Sequence, residues 1–209
     1  MTKRDSILFD LDGTLWDAVR NITYIWNEGV KGHPAAVTLT EEKVRAIMGL
    51  TTKEIGQTLF PKSSEKEQEE LMICCGAAEQ RLLPHTGGIL YPHLEETLKE
   101  LKQSVPLFIV SNCDQGYIEA FLSYHQLTDY FTDHLCYGDT GRAKAENIRA
   151  IVKKHRLRAP VYVGDTEKDF LSAREAGVEF IHAAYGFGRI RETVTAIREI
   201  RELPQRISG

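Results

Sequence analysis

Short, nearly continuous apolar runs separated by helical stretches constrain the fold of this chain more than any other feature of its sequence. The runs occupy residues 7–9, 107–110, 135–137, 161–163 and 180–181. A strand that is apolar at every position, rather than at every second one, is buried on both faces, as in a parallel sheet. We therefore predict a parallel sheet built from these five runs.

The segments between the runs carry apolar side chains every three or four residues, which is the spacing of a helix with one buried face. Asp114 is in position to cap one of these helices, and Gly177 is in position to end another. The helical spacings are those of Leu94, Leu98 and Leu101; Ile118, Phe121 and Leu122; Ile148, Ile151 and Val152; Phe170 and Ala173; and Val194 and Ile197. Strands that alternate with helices predict an α/β fold with a Rossmann-like, doubly wound parallel sheet.

Residues 15–84 interrupt this alternation, because they contain helical signals and no convincing strand. The signals are an apolar stripe through Trp16, Val19, Ile22 and Trp26, a helix start at Thr40 and stop at Gly49, and capping-box spacings at Thr51/Glu54 and Ser64/Glu67. We predict that residues 15–84 form an all-helical cap subdomain. It is inserted into a Rossmann-like core made of residues 1–14 and 85–209.

Polar and acidic side chains follow four of the predicted strands at the point where each strand ends. In an open parallel sheet, sites form beyond the carboxyl ends of the strands, so these side chains are expected to converge. The candidates are Asp10 and Asp12 after the first strand, Ser111 and Asn112 after the second, Asp139 and then Lys144 after the third, and Asp165 and Asp169 after the fourth.

This mixture of residue types has a chemical logic. Clustered carboxylates are unfavourable unless a cation compensates them, and oxygen ligands without histidine or cysteine favour a hard ion such as Mg²⁺. A magnesium ion and a lysine together bind a phosphoryl group well, and Ser111 and Asn112 can add hydrogen bonds. Asp10 and Asp12 can then take different roles, one as a nucleophile at phosphorus and the other as a proton shuttle.

The residues at these strand ends resemble the motifs of the haloacid dehalogenase-like hydrolase superfamily. Residues 10–14 (DLDGT), Ser111 with Asn112, Lys144, and residues 164–169 (GDTEKD) match the four motifs of that superfamily in order. The helical insertion lies where the family carries its cap, between the first and second motifs. The phosphoglycolate phosphatase-like members look most similar, and the resemblance covers essentially the whole chain.

The resemblance implies a magnesium-dependent phosphatase that acts on a small phosphate monoester. Asp10 would attack phosphorus to give an aspartyl-phosphate, and Asp12 would protonate the leaving alcohol and later activate a water. The implied Mg²⁺ ligands are the Asp10 carboxylate, the Asp12 backbone carbonyl and Asp165, with Asp169 in support; the implied phosphate-binding residues are Ser111, Asn112 and Lys144. Dehalogenases of the superfamily lack an acid at position 12, so the aspartate there favours phosphoryl transfer.

Several alternatives stay open at this level. Lys168 lies inside the fourth motif and competes with Lys144 for the phosphate-binding role. The turn Gly49–Lys53 between two cap helices could direct Lys53 toward the substrate, or leave it in solvent. The same aspartyl-phosphate chemistry also serves sugar phosphomutases, and a non-catalytic binding module is the remaining alternative.

Composition limits the partners of the chain. A net charge of −4 is a poor electrostatic match for nucleic acid or for an anionic membrane, and no apolar run approaches the length of a membrane span. The four cysteines contain no CxxC pair, which predicts reduced thiols and a cytoplasmic location. We expect a monomer or homodimer whose partner is a small phosphorylated metabolite.

Overall fold

The computed structural model describes residues 4–207. Eighteen α-helices and β-strands are found in this range, with two short 3-10 helices at Thr128–Tyr130 and Ile200–Glu202. In chain order they are β1 (Ser6–Phe9), β2 (Trp16–Asp17), α1 (Val19–Val30), α2 (Glu41–Ile47), α3 (Thr52–Leu59), α4 (Glu65–Thr86), β3 (Ile89–Leu90), α5 (Leu94–Lys102), β4 (Leu107–Ser111), α6 (Tyr117–Tyr124), β5 (Asp133–Cys136), α7 (Tyr137–Thr140), α8 (Lys144–His155), β6 (Pro160–Gly164), α9 (Glu167–Ala176), β7 (Glu179–Ala183), β8 (Thr195–Ile197) and α10 (Leu203–Ile207).

Six strands form one parallel sheet in the order β5-β4-β1-β6-β7-β8. β1 lies in the middle, and all four of its residues are buried. Leu8 packs into the apolar cluster on one face of the sheet, whereas Ile7 and Phe9 pack into the larger cluster on the other face. The five predicted strands and the doubly wound α/β fold are confirmed, because apolar runs without alternation are covered on both faces.

Four helices, α1 to α4, lie between β2 and β3, and these two short strands pair with each other as an antiparallel ribbon. The predicted capping boxes are present: Glu54 accepts from the backbone N–H of Thr51, and Glu67 accepts from that of Ser64. The helix α4 continues through Pro84 to Thr86, two residues beyond the predicted end of the cap. The division into core and cap stays a prediction.

Three local predictions were wrong. Residues 195–197 form strand β8 at the edge of the sheet, not a helix, because they pair with β7 from Ile181 onward. Their apolar spacing fits a helix, but three residues are too few to show strand alternation. Trp16 lies in β2 rather than in the first helix. Asp114 does not cap α6, whose N-cap is Gly116, with a φ of 90°.

Within residues 4–207, no helix is long and apolar enough to cross a membrane.

Candidate active site

The carboxyl ends of β1, β4 and β6 bring four predicted residues to one edge of the sheet. Asp10 and Asp12 follow β1, Ser111 ends β4, and Asp165 follows β6; all four are buried. The backbone N–H of Asp10 donates to the carbonyl of Val163 at 2.8 Å, so the strand pairing continues one residue past β1. Asp10 is therefore fixed by the sheet itself rather than by a mobile loop.

Lys144, at the first position of α8, reaches two of these acids. Its Nζ lies 2.8 Å from Oδ1 of Asp10 and 2.5 Å from Oδ1 of Asp169, and all three side chains are buried. Burial lowers the pKa of Lys144, but the charges of Asp10 and Asp169 outweigh it and raise that pKa well above its usual value. The lysine is thus a fixed cation, and it partly neutralises two acids that would otherwise repel each other.

Three of the acids form a cluster that can hold a metal ion. Carboxylate oxygens of Asp10, Asp165 and Asp169 lie within 4.8 Å of one another. Oδ2 of Asp165 accepts hydrogen bonds from the backbone N–H groups of Phe187 and Gly188, at 2.7 and 3.3 Å. Its Oδ1 is buried and has no hydrogen-bond partner. A buried oxygen that lacks a partner, beside two further carboxylates, fits a hard divalent cation.

The pKa values of Asp10 and Asp165 are raised by burial and by neighbouring charge. Burial, with the charges of Asp169 and Asp10, raises the pKa of Asp165 to about 8. Burial and Asp169 also raise the pKa of Asp10 to about 6, although Lys144 opposes the increase. The negative charges of Asp10 and Asp165 are therefore unfavourable without a compensating cation, and a bound metal ion would stabilise them.

Gly13 allows the loop after β1 to lie close to Asp165, which follows β6. Its φ is 83°, a conformation that suits glycine, and a Cβ added there would lie 2.3 Å from Oδ2 of Asp165. The glycine of the DLDGT segment is therefore needed for the close packing of the acids at this edge.

Asp12 has a different environment from Asp10. Its Oδ1 accepts hydrogen bonds from Nε1 of Trp16 and from the hydroxyl of Tyr117, both at 2.9 Å. Burial and the charge of Asp10 raise the pKa of Asp12 to about 7, and the two hydrogen bonds moderate the increase. A carboxyl group that titrates near neutral pH can both give and take a proton.

The helical segment contacts the strand ends directly. Nδ2 of Asn112 donates to the carbonyl of Gly49 at 2.9 Å, and the hydroxyl of Thr52 donates to Asp114 at 2.6 Å. The predicted phosphate ligand Asn112 thus contacts the turn Gly49–Lys53. Gly49, Leu50 and Thr52 from that turn line the pocket above Asp10 and Asp12, but Lys53 does not.

The two competing lysines occupy different places. Lys168 pairs with Glu54 of α3 at 2.5 Å, and 43% of its side chain is exposed. Lys144, in contrast, is buried against Asp10. The structure therefore brings Lys144, and not Lys168, to the predicted nucleophile. Asp139 is not among these acids, since it accepts hydrogen bonds from Cys136.

A pocket of about 50 Å³ lies between the helical segment and the sheet edge. Asp10, Asp12, Ser111 and Asn112 line it on one side, and residues of the helical segment, Glu79 among them, line it on the other. Sequence reasoning missed Trp16, Tyr117 and Glu79 as site residues. Trp16 directly follows the DLDGT segment, which is a usable signal, whereas Tyr117 and Glu79 reach the site only through the packing of α6 and α4.

Comparisons with known proteins agree with this arrangement. The sequence profile of the haloacid dehalogenase-like hydrolase family matches residues 7–183. The phosphoglycolate phosphatase of Vibrio parahaemolyticus is 31% identical over 207 residues, covering 90% of this chain and 87% of the relative. That of Vibrio vulnificus strain CMCP6 is 31% identical over 196 residues, covering 87% and 84%.

The fold matches solved structures as well. A haloacid dehalogenase-like family hydrolase from Streptococcus pneumoniae superposes with a TM-score of 0.84 at 22% identity, and the match covers 99% of each chain. The order of the four motifs, the acids at the strand ends and the match over residues 7–183 lead to one assignment. The chain belongs to the haloacid dehalogenase-like hydrolase family.

Proposed function

We propose that the chain is a magnesium-dependent phosphatase that hydrolyses a small phosphate monoester through an aspartyl-phosphate on Asp10. One observation carries the proposal: the two acids of the DLDGT segment have different environments in one pocket. Asp10 is paired with Lys144, and Asp12 is held by Trp16 and Tyr117. Such a division suits one acid to attack and the other to transfer protons.

Mg²⁺ is the proposed metal. The ligands offered to it are the carboxylates of Asp10 and Asp165, with Asp169 in support. The resemblance to the family adds the backbone carbonyl of Asp12 as a further oxygen. When bound, the ion would neutralise charge that develops on the transferring phosphoryl group. The unpartnered Oδ1 of Asp165 and the all-oxygen donor set support this choice.

In the first step, a carboxylate oxygen of Asp10 forms a bond to phosphorus while the bond from phosphorus to the alcohol oxygen breaks. Asp12 donates a proton to the departing alcohol oxygen. In the second step, Asp12 takes a proton from a water, whose oxygen bonds to phosphorus as the Asp10–phosphorus bond breaks. Inorganic phosphate is released, and Asp10 and Asp12 return to their starting states.

The phosphoryl group itself would be held by Ser111, Asn112 and Lys144. Ser111 and Asn112 line the pocket beside Asp10, and the Nζ of Lys144 lies 2.8 Å from that nucleophile. A lysine in this place stabilises the negative charge of the phosphoryl oxygens. The proposed partner is a small phosphorylated metabolite. The four free thiols fit the cytoplasmic location that we propose.

The test is release of inorganic phosphate by purified protein with Mg²⁺. A generic aryl phosphate reports on the chemistry, and phosphoglycolate is the first natural ester to assay because the Vibrio relatives carry that name. We expect turnover that EDTA abolishes and that Mg²⁺ restores. No phosphate release across a broad panel of phosphate esters would contradict the proposal. Transfer to a hexose phosphate in place of water would instead indicate a phosphomutase.

A further inference from the structure

Glu79 is the residue through which helix α4 brings an acid into the catalytic pocket. Its side chain is half-buried, and Oε1 accepts a hydrogen bond of 2.6 Å from Nε1 of Trp26 on α1. Within residues 4–207, Oε2 of Glu79 makes no hydrogen bond. Trp26 thus holds the carboxyl group in place and leaves one of its oxygens for a ligand.

Glu79 also stands where the catalytic pocket meets a larger groove. The groove has a volume of about 690 Å³ and lies between helices α3 and α4 on one side and the loop before α6 on the other. The residues common to pocket and groove are Thr52, Met72, Gly76, Glu79, Asp114 and Tyr117. A phosphate ester bound at Asp10 with its alcohol directed toward the groove would therefore pass Glu79.

Acidic side chains line this passage, and they carry full negative charge above about pH 8. Two acids stand at the junction, Glu79 and Asp114, and two more stand at the reacting end, Asp10 and Asp12. No lysine, arginine or histidine is among the described residues that line the catalytic pocket. With Glu79 ionised, a substrate carboxylate at this junction would lack a cationic partner and would face like charge.

The cations nearest to the passage are engaged elsewhere. Lys53 borders only the groove, where its Nζ lies 3.6 Å from Glu65 and 71% of the side chain is exposed. Lys168 pairs with Glu54.

Resting on the phosphatase function proposed above, we propose that Glu79 selects leaving alcohols that carry a hydroxyl or ammonium donor and disfavours leaving groups that carry a carboxylate. Oε2 of the ionised Glu79 accepts a hydrogen bond from that donor, and the hydrogen bond from Trp26 holds the carboxyl group of Glu79 in position. The substrate class is therefore the monophosphates of polyols and amino alcohols, and phosphoglycolate is a poor member of the substrate range.

The electrostatics of Glu79 agree with this selection. Burial raises the pKa of Glu79 to about 8, and the charges of Asp114 and Asp12 add to the increase, although Trp26 opposes it. Above this pKa Glu79 is ionised, and a further carboxylate beside it meets direct repulsion. A hydroxyl group meets no such repulsion, and an ammonium group favours the ionised form of Glu79.

The experiment compares four phosphate esters of similar size: phosphoglycolate, 2-hydroxyethyl phosphate, phosphoethanolamine and ethyl phosphate. The readout is kcat/KM with Mg²⁺ at a pH above the pKa of Glu79, where its carboxylate is ionised, for the wild type and for Glu79→Gln, with an aryl phosphate as a further substrate. We expect the wild type to prefer the hydroxyl and ammonium esters over phosphoglycolate by about tenfold or more. Glu79→Gln should raise the value for phosphoglycolate and lower that for phosphoethanolamine, while the amide oxygen still accepts from Trp26.

Glu69→Gln is the matched control. It removes the same charge from the same helix, at an exposed side chain that borders the groove but not the catalytic pocket. We expect it to leave the ratios among the four esters unchanged. Wild-type preference for phosphoglycolate, or an equal effect of Glu79→Gln on all four esters, would overturn the inference. So would turnover of the aryl phosphate without turnover of any of the four. No turnover even of the aryl phosphate would instead overturn the phosphatase function on which the inference rests.

Discussion

The hydroxyl of Tyr117 donates a hydrogen bond of 2.9 Å to Oδ1 of Asp12. Burial and the charge of Asp12 raise the pKa of Tyr117 well above its usual value, so the phenol keeps its proton. The bond stabilises the ionised form of Asp12 and lowers the pKa of that acid relative to burial alone. A residue of the helix after β4 thus adjusts the proposed proton carrier.

Tyr117→Phe should therefore raise the pKa of Asp12 above its value of about 7. Asp12 must be protonated to act as the acid in the first step, so the rate of that step falls as pH rises through this pKa. The substitution should move the falling limb of the kcat–pH profile to higher pH by up to about one unit. Tyr124→Phe, at the other end of α6, is the control and should leave the limb in place. An unmoved or downward-shifted limb in Tyr117→Phe would show that Tyr117 does not act on Asp12.

Lys144→Met should lower both activity and stability. The substitution leaves the carboxylates of Asp10 and Asp169 buried without their cation, which costs about 3–5 kcal/mol of unfolding free energy. Urea unfolding of the metal-free protein at neutral pH measures this loss. Lys168→Met removes a half-exposed ion pair and should cost less than about 1 kcal/mol. Equal losses from the two variants would contradict the assignment of Lys144 to the buried site.

The stability of the metal-free protein should fall as pH rises from about 4 to about 8. The pKa of Asp165 is raised in the folded state from 3.8 to about 8, so in this window the folded state holds a proton that the unfolded state has lost. Asp10 and Asp12, whose pKa values are raised to about 6 and about 7, act in the same direction. Thermal unfolding with EDTA at a series of pH values measures the slope.

Mg²⁺ should reverse this loss at the upper end of the window, because a bound cation stabilises the ionised acids. Asp165→Asn should make the metal-free protein more stable near pH 8 and should abolish the stabilisation by Mg²⁺. A stability that rises with pH in EDTA, or an undiminished effect of Mg²⁺ on Asp165→Asn, would contradict the proposed metal site.

Gly49→Ala should weaken substrate binding more than it weakens the fold. Gly49 has a φ of 81°, so alanine there is strained by about 1–2 kcal/mol and should displace the carbonyl that contacts Asn112. We expect a severalfold increase in KM. Gly32→Ala introduces the same strain at a φ of 85°, in open space away from the pocket, and should lower only the melting temperature. Identical KM values for the two variants would exclude a role of Gly49 in the pocket.

The sequence predicted the sheet and the strand-end acids because both depend on local pattern. Continuous apolar runs mark buried parallel strands, and residues directly after such strands meet at one edge, as Asp10 and Asp165 do. The order of the motifs favoured Lys144 over Lys168, but which lysine reaches Asp10 depends on how α8 packs against the sheet, and only the structure shows that contact.

The features that the sequence did not predict depend on contacts between elements that are distant in the chain. Strand β8 exists because it pairs with the edge of β7, and no residue within 195–197 signals that pairing. Tyr117 and Glu79 reach the pocket through the packing of α6 and α4, which lie far from each other in sequence. Their helical spacing predicts which face is buried but not which catalytic residue that face meets.

The central claim is that Asp10 carries the phosphoryl group during turnover. The most direct measurement is acid quenching of the enzyme during turnover with Mg²⁺ and substrate, followed by mass spectrometry of the peptide that contains residues 6–17. We predict one added phosphoryl group on Asp10 in the wild type, and neither that group nor turnover in Asp10→Asn. A phosphoryl group on another residue, or full turnover by Asp10→Asn, would contradict the account.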